Sequence, residues 1–347
     1  MGASFISTTS LTSTLRLAAM QSQVQVTKAT KEATTGRHYD VGLTLGALTG
    51  RDVGLRAELD RVEKIIDSNQ VVTGRLDASQ AALDSLVKGA QDFVQQLIAV
   101  RDSANGATSV LPTATTNLDS LVSTLNTTLY GQHLFGGINT GVSPVQAYTA
   151  TSSSKAAVDA AFLAEFGMSQ TSAAVVGISP AAMETFLTTN FENLFTGTNW
   201  STDWSAASSQ AVTARISTTQ TITASATANE PGIQKLAQVY TMMSDLGAQN
   251  MSQATFQTLV DRAVVLATEA IGDLVEVQGA LGTSQELTKN ATETLKIQKD
   301  LFTGQVTGLE AVDPTESSVR VTALQHQLDV ALALISRIQK LSILNYM

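Results

Sequence analysis

Cysteine is missing from all 347 residues, which removes disulfides, thiol nucleophiles and cysteine-based metal sites together and leaves the fold to packing alone. Histidine occurs only at His38, His133 and His326, far apart and in no metal-binding or general-base pattern, so each reads as a packing or surface residue. Charge is sparse: 15% of residues are Asp, Glu, Lys or Arg, the net charge is −9, and Lys and Arg never cluster. A nucleic-acid surface needs clustered cations, so that class is excluded. Long apolar runs are absent, which excludes membrane insertion, and the first thirty residues lack the cationic and apolar regions of a cleaved signal peptide.

Phosphate-loop patterns are lacking as well, because Gly136-Gly137 has no following Lys and no strand-to-helix setting. The carboxylates Asp60, Glu63 and Asp67 fall at helical spacing among Arg61 and Lys64, which reads as a solvated helix face. No catalytic, cofactor or metal residue is expected, and the chain reads as a non-enzyme.

What is present is helical period at both chain ends. Leu55, Leu59, Val62 and Ile66 open a seam that passes Leu76 and continues through Leu83, Leu86, Ala90, Phe93, Leu97, Val100 and Ala104 at alternating three and four residues. Asn105-Gly106 supplies a stop, and a further helix is expected from about Pro112 to Gly131. The distal half carries a matching stripe through Leu259, Ala263, Leu266, Ala270, Leu274, Val277 and Leu281. The rod core is therefore expected at Leu59, Val62, Ile66, Leu83, Leu86, Phe93, Leu97, Leu266, Leu274, Val277 and Leu281. Short stripes at Leu11 and Leu15, and at Leu324, Leu328, Ile335, Ile338 and Leu341, make both termini amphipathic without a core of their own.

From Val142 to Asn229 the stripes shorten and both tryptophans appear, the mark of an inserted domain. Helices are expected over 156–166 and 179–195, the second capped by Ser179 with Pro180 in its first turn, and paired strands over 212–216 and 222–226. The tryptophans read as core, with a saccharide groove as the alternative. The stretch 120–154 has no charged residue, so either a packed or interface segment or a loop-rich connector fits it. The fold class is thus mainly α, a long antiparallel helical rod built from both chain ends with an inserted mixed α/β domain. Terminal segments are expected at 1–40 and 315–347, the rod at 41–141 and 230–314, and the insert at 142–229.

Local strings add a resemblance. AVRDSANGAT at 99–108, LDASQAALDSLVKGAQDFV at 76–94 and the Gly-Arg turn in KEATTGRHYDVG at 31–42 resemble the flagellin superfamily over about 130 N-terminal and 110 C-terminal residues. YGQHLFGGINTGVSP at 130–144 and the closing SRIQKLSILNYM at 336–347 are similar to its hook-filament junction family, flagellar hook-associated protein 3. Tyr39-Asp40-Val41-Gly42 departs from the Asp-Asp-Pro usual after that turn.

The resemblance implies an extracellular structural subunit of the bacterial flagellum, exported by the flagellar type III route without a cleaved signal. Its implied partners are further copies of itself in a ring, a hook-associated protein on the hook side, flagellin on the filament side, and an export chaperone with the export apparatus. It further implies terminal segments that are disordered in the monomer and form a coiled coil on assembly. A divergent filament flagellin and a type III secreted effector or translocator are the alternatives.

Overall fold

The computed structural model describes residues 8–344, with side chains placed at 10–338 and at Lys340. In chain order the elements are α1 (Thr8–Thr35), α2 (Val41–Leu45), α3 (Thr49–Val100), α4 (Gly106–Leu125), β1 (Thr128–Leu129), β2 (Gln132–His133), α5 (Ser153–Phe166), α6 (Pro180–Phe186), α7 (Gly197–Asp203), β3 (Thr213–Arg215), β4 (Thr221–Thr223), α8 (Pro231–Asp245), α9 (Gln253–Glu310) and α10 (Pro314–Leu344). The fold is mainly helical, with long helices from both chain ends and two small antiparallel sheets. The chain divides into two compact units, one of residues 1–64 with 296–347 and one of residues 65–295. The boundaries expected near 142 and 229 both lie within the second unit.

The seams become two helices of 52 and 58 residues, α3 and α9. Their antiparallel sense shows in the cross-links, whose α9 partners fall in number as the α3 residues rise. In the second unit these run from Asn69 Nδ2 to Thr292 Oγ1 at 3.0 Å, through Asp77 to Gln285 and Gln80 to the Gln278 carbonyl, to Arg101 on Asp261. In the first unit Lys299 reaches Glu63 at 3.0 Å.

Packing, more than these polar links, holds the second unit. Leu76, Leu83, Phe93 and Leu97 of α3 join Leu118, Leu121 and Leu125 of α4 and Leu259, Ala263, Leu266 and Leu274 of α9 in one buried cluster. Helix α8 runs through it and is buried on almost all sides from Gly232 to Met243, with Gln238 and Thr241 included. Its entry is tight: a Cβ on Gly232 would stand 2.8 Å from the Ala270 carbonyl oxygen.

The same cluster extends without a break into the expected insert. There Phe166, Phe162, Phe186, Phe191, Phe195, Trp204 and Trp200 form a chain of rings with successive centroids between 4.7 and 5.8 Å apart. Both tryptophans are buried core residues, and Trp200 donates its indole N–H to Asn229 at 2.9 Å. Thr255 Oγ1 on α9 donates to the Ile178 carbonyl at 2.7 Å, and Arg262 pairs with Glu192, so the insert is bonded to the helices that flank it.

Several local expectations need correction. The fourth helix starts at Gly106, not near Pro112, and Pro112 lies inside it. The start is fixed sterically: a Cβ on residue 106 would fall 2.2 Å from the Val100 carbonyl oxygen and 2.9 Å from the Phe256 ring, so the turn out of α3 closes only around glycine. That helix ends at Leu125 and not near Gly131, because Leu129 to Gln132 form a tight hairpin. Its central residues have φ of 52° at Tyr130 and 77° at Gly131, the two left-handed positions of a type I′ turn.

The expected helix over 179–195 begins as foreseen, with Ser179 Oγ accepting the Ala182 N–H at 3.2 Å, but widens after Phe186 into a π-turn over Leu187–Phe191. The strands pair in the register Thr213 to Thr223, Ala214 to Ile222 and Arg215 to Thr221. In the uncharged stretch 120–154, Leu121, Leu125, Leu134, Phe135 and Val145 are buried, while Tyr130, Ile138 and Val142 are exposed.

Candidate functional site: the terminal helix pair and its charge knot

Within the first unit α1 and α10 pack along each other. The contact is thin, because the apolar residues of each helix are spread over more than one face among Ser, Thr and Gln and only part of them meets the partner helix. Leu15, Leu324, Leu328 and Ile338 are half-buried and Ile335 is buried, whereas Leu11 remains 43% exposed. The side chain of Leu341 and residues 345–347 of the closing string lie outside the described residues. A second set of large apolar side chains faces outward: Leu17 is 60%, Met20 65% and Val319 65% exposed, and Val24, Val330, Leu332 and Leu334 are exposed as well. Each is worth about 1.5–3 kcal/mol if fully covered, so this pair presents unspent hydrophobic free energy along its length.

Of the expected rod residues, Val62, Ile66, Leu83, Leu86, Phe93, Leu97, Leu266, Leu274 and Leu281 are buried, and Leu59 and Val277 are half-buried.

The helix pair meets α3 and α9 at a charged junction lying wholly in the first unit. Helix α1 stops at Gly36, whose φ of 67° ends the helical run, and the next residues align antiparallel with the end of α9. Arg37 bridges to Ala311, the His38 N–H donates to the Glu310 carbonyl at 3.0 Å, and the Val312 N–H donates to the Gly36 carbonyl at 3.0 Å. The Glu32 carboxylate accepts the Tyr39 N–H at 2.9 Å, and Lys28 and Lys31 sit over the Tyr39 ring. Pro314 then opens α10, capped by Asp313, which accepts the Thr315 N–H at 2.7 Å. These backbone donors hold the Asp313 carboxyl below its ordinary value.

At the centre of the junction Glu310 is fully buried. Arg56 of α3 grips its Oε1 through both Nε, at 2.6 Å, and Nη2, and Arg37 Nε faces its Oε2 at 3.4 Å as an ion pair without hydrogen-bond geometry. Arg56 Nε also reaches Asp52, itself buried, at 3.3 Å. The hydrogen bond to Glu310 is the main cause that raises the Arg56 pKa against burial. Two acids and two arginines leave the knot neutral.

Asp52 lies in the first turn of α3, where the helix dipole favours it. Glu310 is the last residue of α9, where the dipole and burial both oppose a carboxylate, so the arginines must offset that cost. The Gly-Arg turn and the Asp52–Arg56 spacing of four are local, but the pairing of Arg56 with Glu310 spans 254 residues and leaves no pattern in the sequence.

Two clefts are large enough for a small ligand. One of about 230 Å³ adjoins the junction between Glu32, His38, Glu316 and Arg320. The other, of about 300 Å³ in the second unit, is lined by Lys155, Asp159, Gln170 and Asp245. There the lysine holds Asp159 at 2.8 Å and Asp245 at 2.9 Å, and Tyr148 donates to Asp245 at 2.5 Å, so the charges satisfy one another. Burial and the nearby Asp245 push the Tyr148 hydroxyl pKa up, which keeps it a donor. Among the described residues no group of three or more His, Cys, Asp or Glu could hold a metal ion, and no helix is long and apolar enough to cross a membrane. His133 bonds the Asn126 carbonyl through Nδ1 at 3.0 Å, a packing role.

Comparison with known proteins agrees with this geometry. Residues 6–140 match the bacterial flagellin N-terminal helical region, and residues 264–347 match the bacterial flagellin C-terminal helical region. A solved structure of a putative flagellar hook-associated protein from Vibrio parahaemolyticus is similar in fold, with a TM-score of 0.52 at 10% identity over 76% of this chain and 97% of that one. Among curated proteins none matches the sequence.

Proposed function

Because the chain belongs to the flagellin superfamily, a family of extracellular, non-enzymatic flagellar subunits, we propose that it is the junction adaptor between hook and filament. The observation that carries an assembly role is the outward apolar face of the α1 and α10 pair, which a lone subunit leaves wet and a neighbouring subunit would cover. The assembly seam expected at Leu11, Leu15, Leu324, Leu328, Ile335, Ile338 and Leu341 holds α1 and α10 together in this reading, and the outward set of Leu17, Met20, Val24, Val319, Val330, Leu332 and Leu334 is what a neighbour covers. The likeness to the Vibrio protein supports the hook-associated branch at the level of fold. Type III export, an export chaperone, a ring of identical subunits, and contacts with a hook-associated protein on one side and flagellin on the other complete the proposal.

Deleting the gene tests it. An adaptor leaves complete hooks and sheds flagellin into the medium. Loss of the filament protein itself, with no flagellin shed, would instead establish the filament-subunit alternative. The secreted-effector reading has no specific observation in its favour.

A further inference from the structure

We infer that the Glu310 knot is a clamp that sets the register of the two chain ends before any neighbour arrives, with Glu310 as its positioning residue. The inference rests on the assembly reading above and adds to it a residue-level device. Its grounds lie within the first unit. Among the described residues the buried charged side chains are Asp52, Arg75 and Glu310, and two of these three meet at this one point.

A buried ion pair contributes little stability that well-packed apolar residues could not match, and placing Glu310 at a helix C-terminus makes it costlier still. What the charges give is uniqueness. Glu310 fits only where both guanidinium groups converge, so Arg37, which follows α1, and Arg56, on α3, are drawn to the one residue that ends α9. Residues 36–38 and 310–312 are thereby held side by side, and α1 and α10 depart from adjacent points.

Beyond the clamp the described residues join the pair through a thin apolar contact and one long ion pair, Arg320 to Glu32 at 4.0 Å, and a slip by one helical turn would exchange one leucine for another at small cost. Fixing the origin of both helices removes those alternatives and lowers the ordering cost of assembly. Gly36 and Gly46, at φ of 67° and 52°, let the chain turn sharply on either side of Arg37 without strain.

Amide hydrogen exchange on the intact free subunit tests the clamp directly, read at His38 and Val312, whose N–H groups make the two cross-strand bonds. Glu310→Gln keeps the shape and removes the charge. It should speed exchange at both amides at least tenfold while residues 65–295 exchange as before. Arg56→Gln should do the same, and the double variant should be no worse than either single one, because all three break one unit.

Wild-type exchange at the rate of an unstructured chain, protection that survives Glu310→Gln, or additive single effects would each overturn the clamp. Assembly of the wild-type protein onto isolated hooks, scored separately, tests the reading on which the clamp rests. A clamp that opens as expected in a protein that never binds hooks leaves the device intact and removes the adaptor role.

Discussion

The two units differ in how they use apolar side chains, and the difference separates what folds from what assembles. The second unit seals Phe93, Leu97, Trp200, Trp204 and most of the apolar surface of α8 into one cluster. In the first, the buried apolar residues are small or few, among the described ones Ala19, Ala29, Val62, Val306 and Ile335, while Leu17, Met20 and Val319 stay in water. The second unit exposes large apolar side chains too, Ile98 and Tyr130 among them, but around a sealed core that the first unit lacks. In the proposed reading the exposed set of the first unit is the surface that another subunit covers.

That contrast can be broken most forcefully by exchanging like mutations between the units. Leu97→Asp places a carboxylate at a site with no exposure and no cation, and should abolish cooperative unfolding or lower the melting temperature by more than 10 °C. Leu17→Asp, at 60% exposure, should leave the melting curve within 1–2 °C and stop incorporation into flagella. Equal effects on melting would erase the distinction.

Trp204→Ala removes a ring packed against Tyr148, Phe195 and Trp200, and should cost about 3–5 kcal/mol by denaturant titration. Because the core is shared, the loss should appear in the single unfolding transition of residues 65–295 and not in a separate one for the insert. A second transition, with the helices of α3 and α9 untouched, would restore the picture of an independent inserted domain.

A smaller effect of opposite sign sits on α8. The Thr241 hydroxyl is buried with no hydrogen-bond partner among the described residues, so Thr241→Val should raise stability by about 1 kcal/mol. A destabilised variant would show that the hydroxyl has a partner in solution.

The smallest effect belongs to the far end of the α3–α9 pair, where Arg101 grips Asp261 at 2.6 and 2.8 Å in the open. The arginine hydrogen bond holds the Asp261 carboxyl below its ordinary value. A depressed acid contributes stability above its unfolded pKa and loses it as pH falls through the folded one, so this contribution fades only in acid, below the usual carboxylate range. Solvent screening keeps it small. Asp261→Asn should shift stability at pH 7 by under about 1 kcal/mol and make the difference from wild type vanish at low pH.

The long helices were legible because their signal is local and repeated. Leu83 through Val100 and Leu259 through Leu281 spell a three-four alternation that only a helix satisfies, and Ser179-Pro180 announces its own cap. Reading failed where geometry is fixed by distant partners. Gly106 opens a helix because the Val100 carbonyl oxygen and the Phe256 ring, the latter far along the chain, together leave no room for a Cβ. Tyr130 adopts a left-handed φ in a two-residue hairpin for which tyrosine is an unusual first residue. The insert seemed separable because its composition changes, yet its aromatic chain continues the core of its flanks. The knot was the least legible feature, since Arg37 and Glu310 join the Asp52–Arg56 pair of α3 only in space.

The central claim is that residues 65–295 are complete alone and the terminal pair becomes complete only in company. Amide hydrogen exchange of the free subunit and of the same protein bound to isolated hooks measures this most directly. The account predicts slow exchange across α8 and the middle of α9 in both states, and protection over α1 and α10 that rises at least tenfold on assembly. Terminal helices already as protected in the free subunit as α8, or still unprotected once assembled, would contradict it.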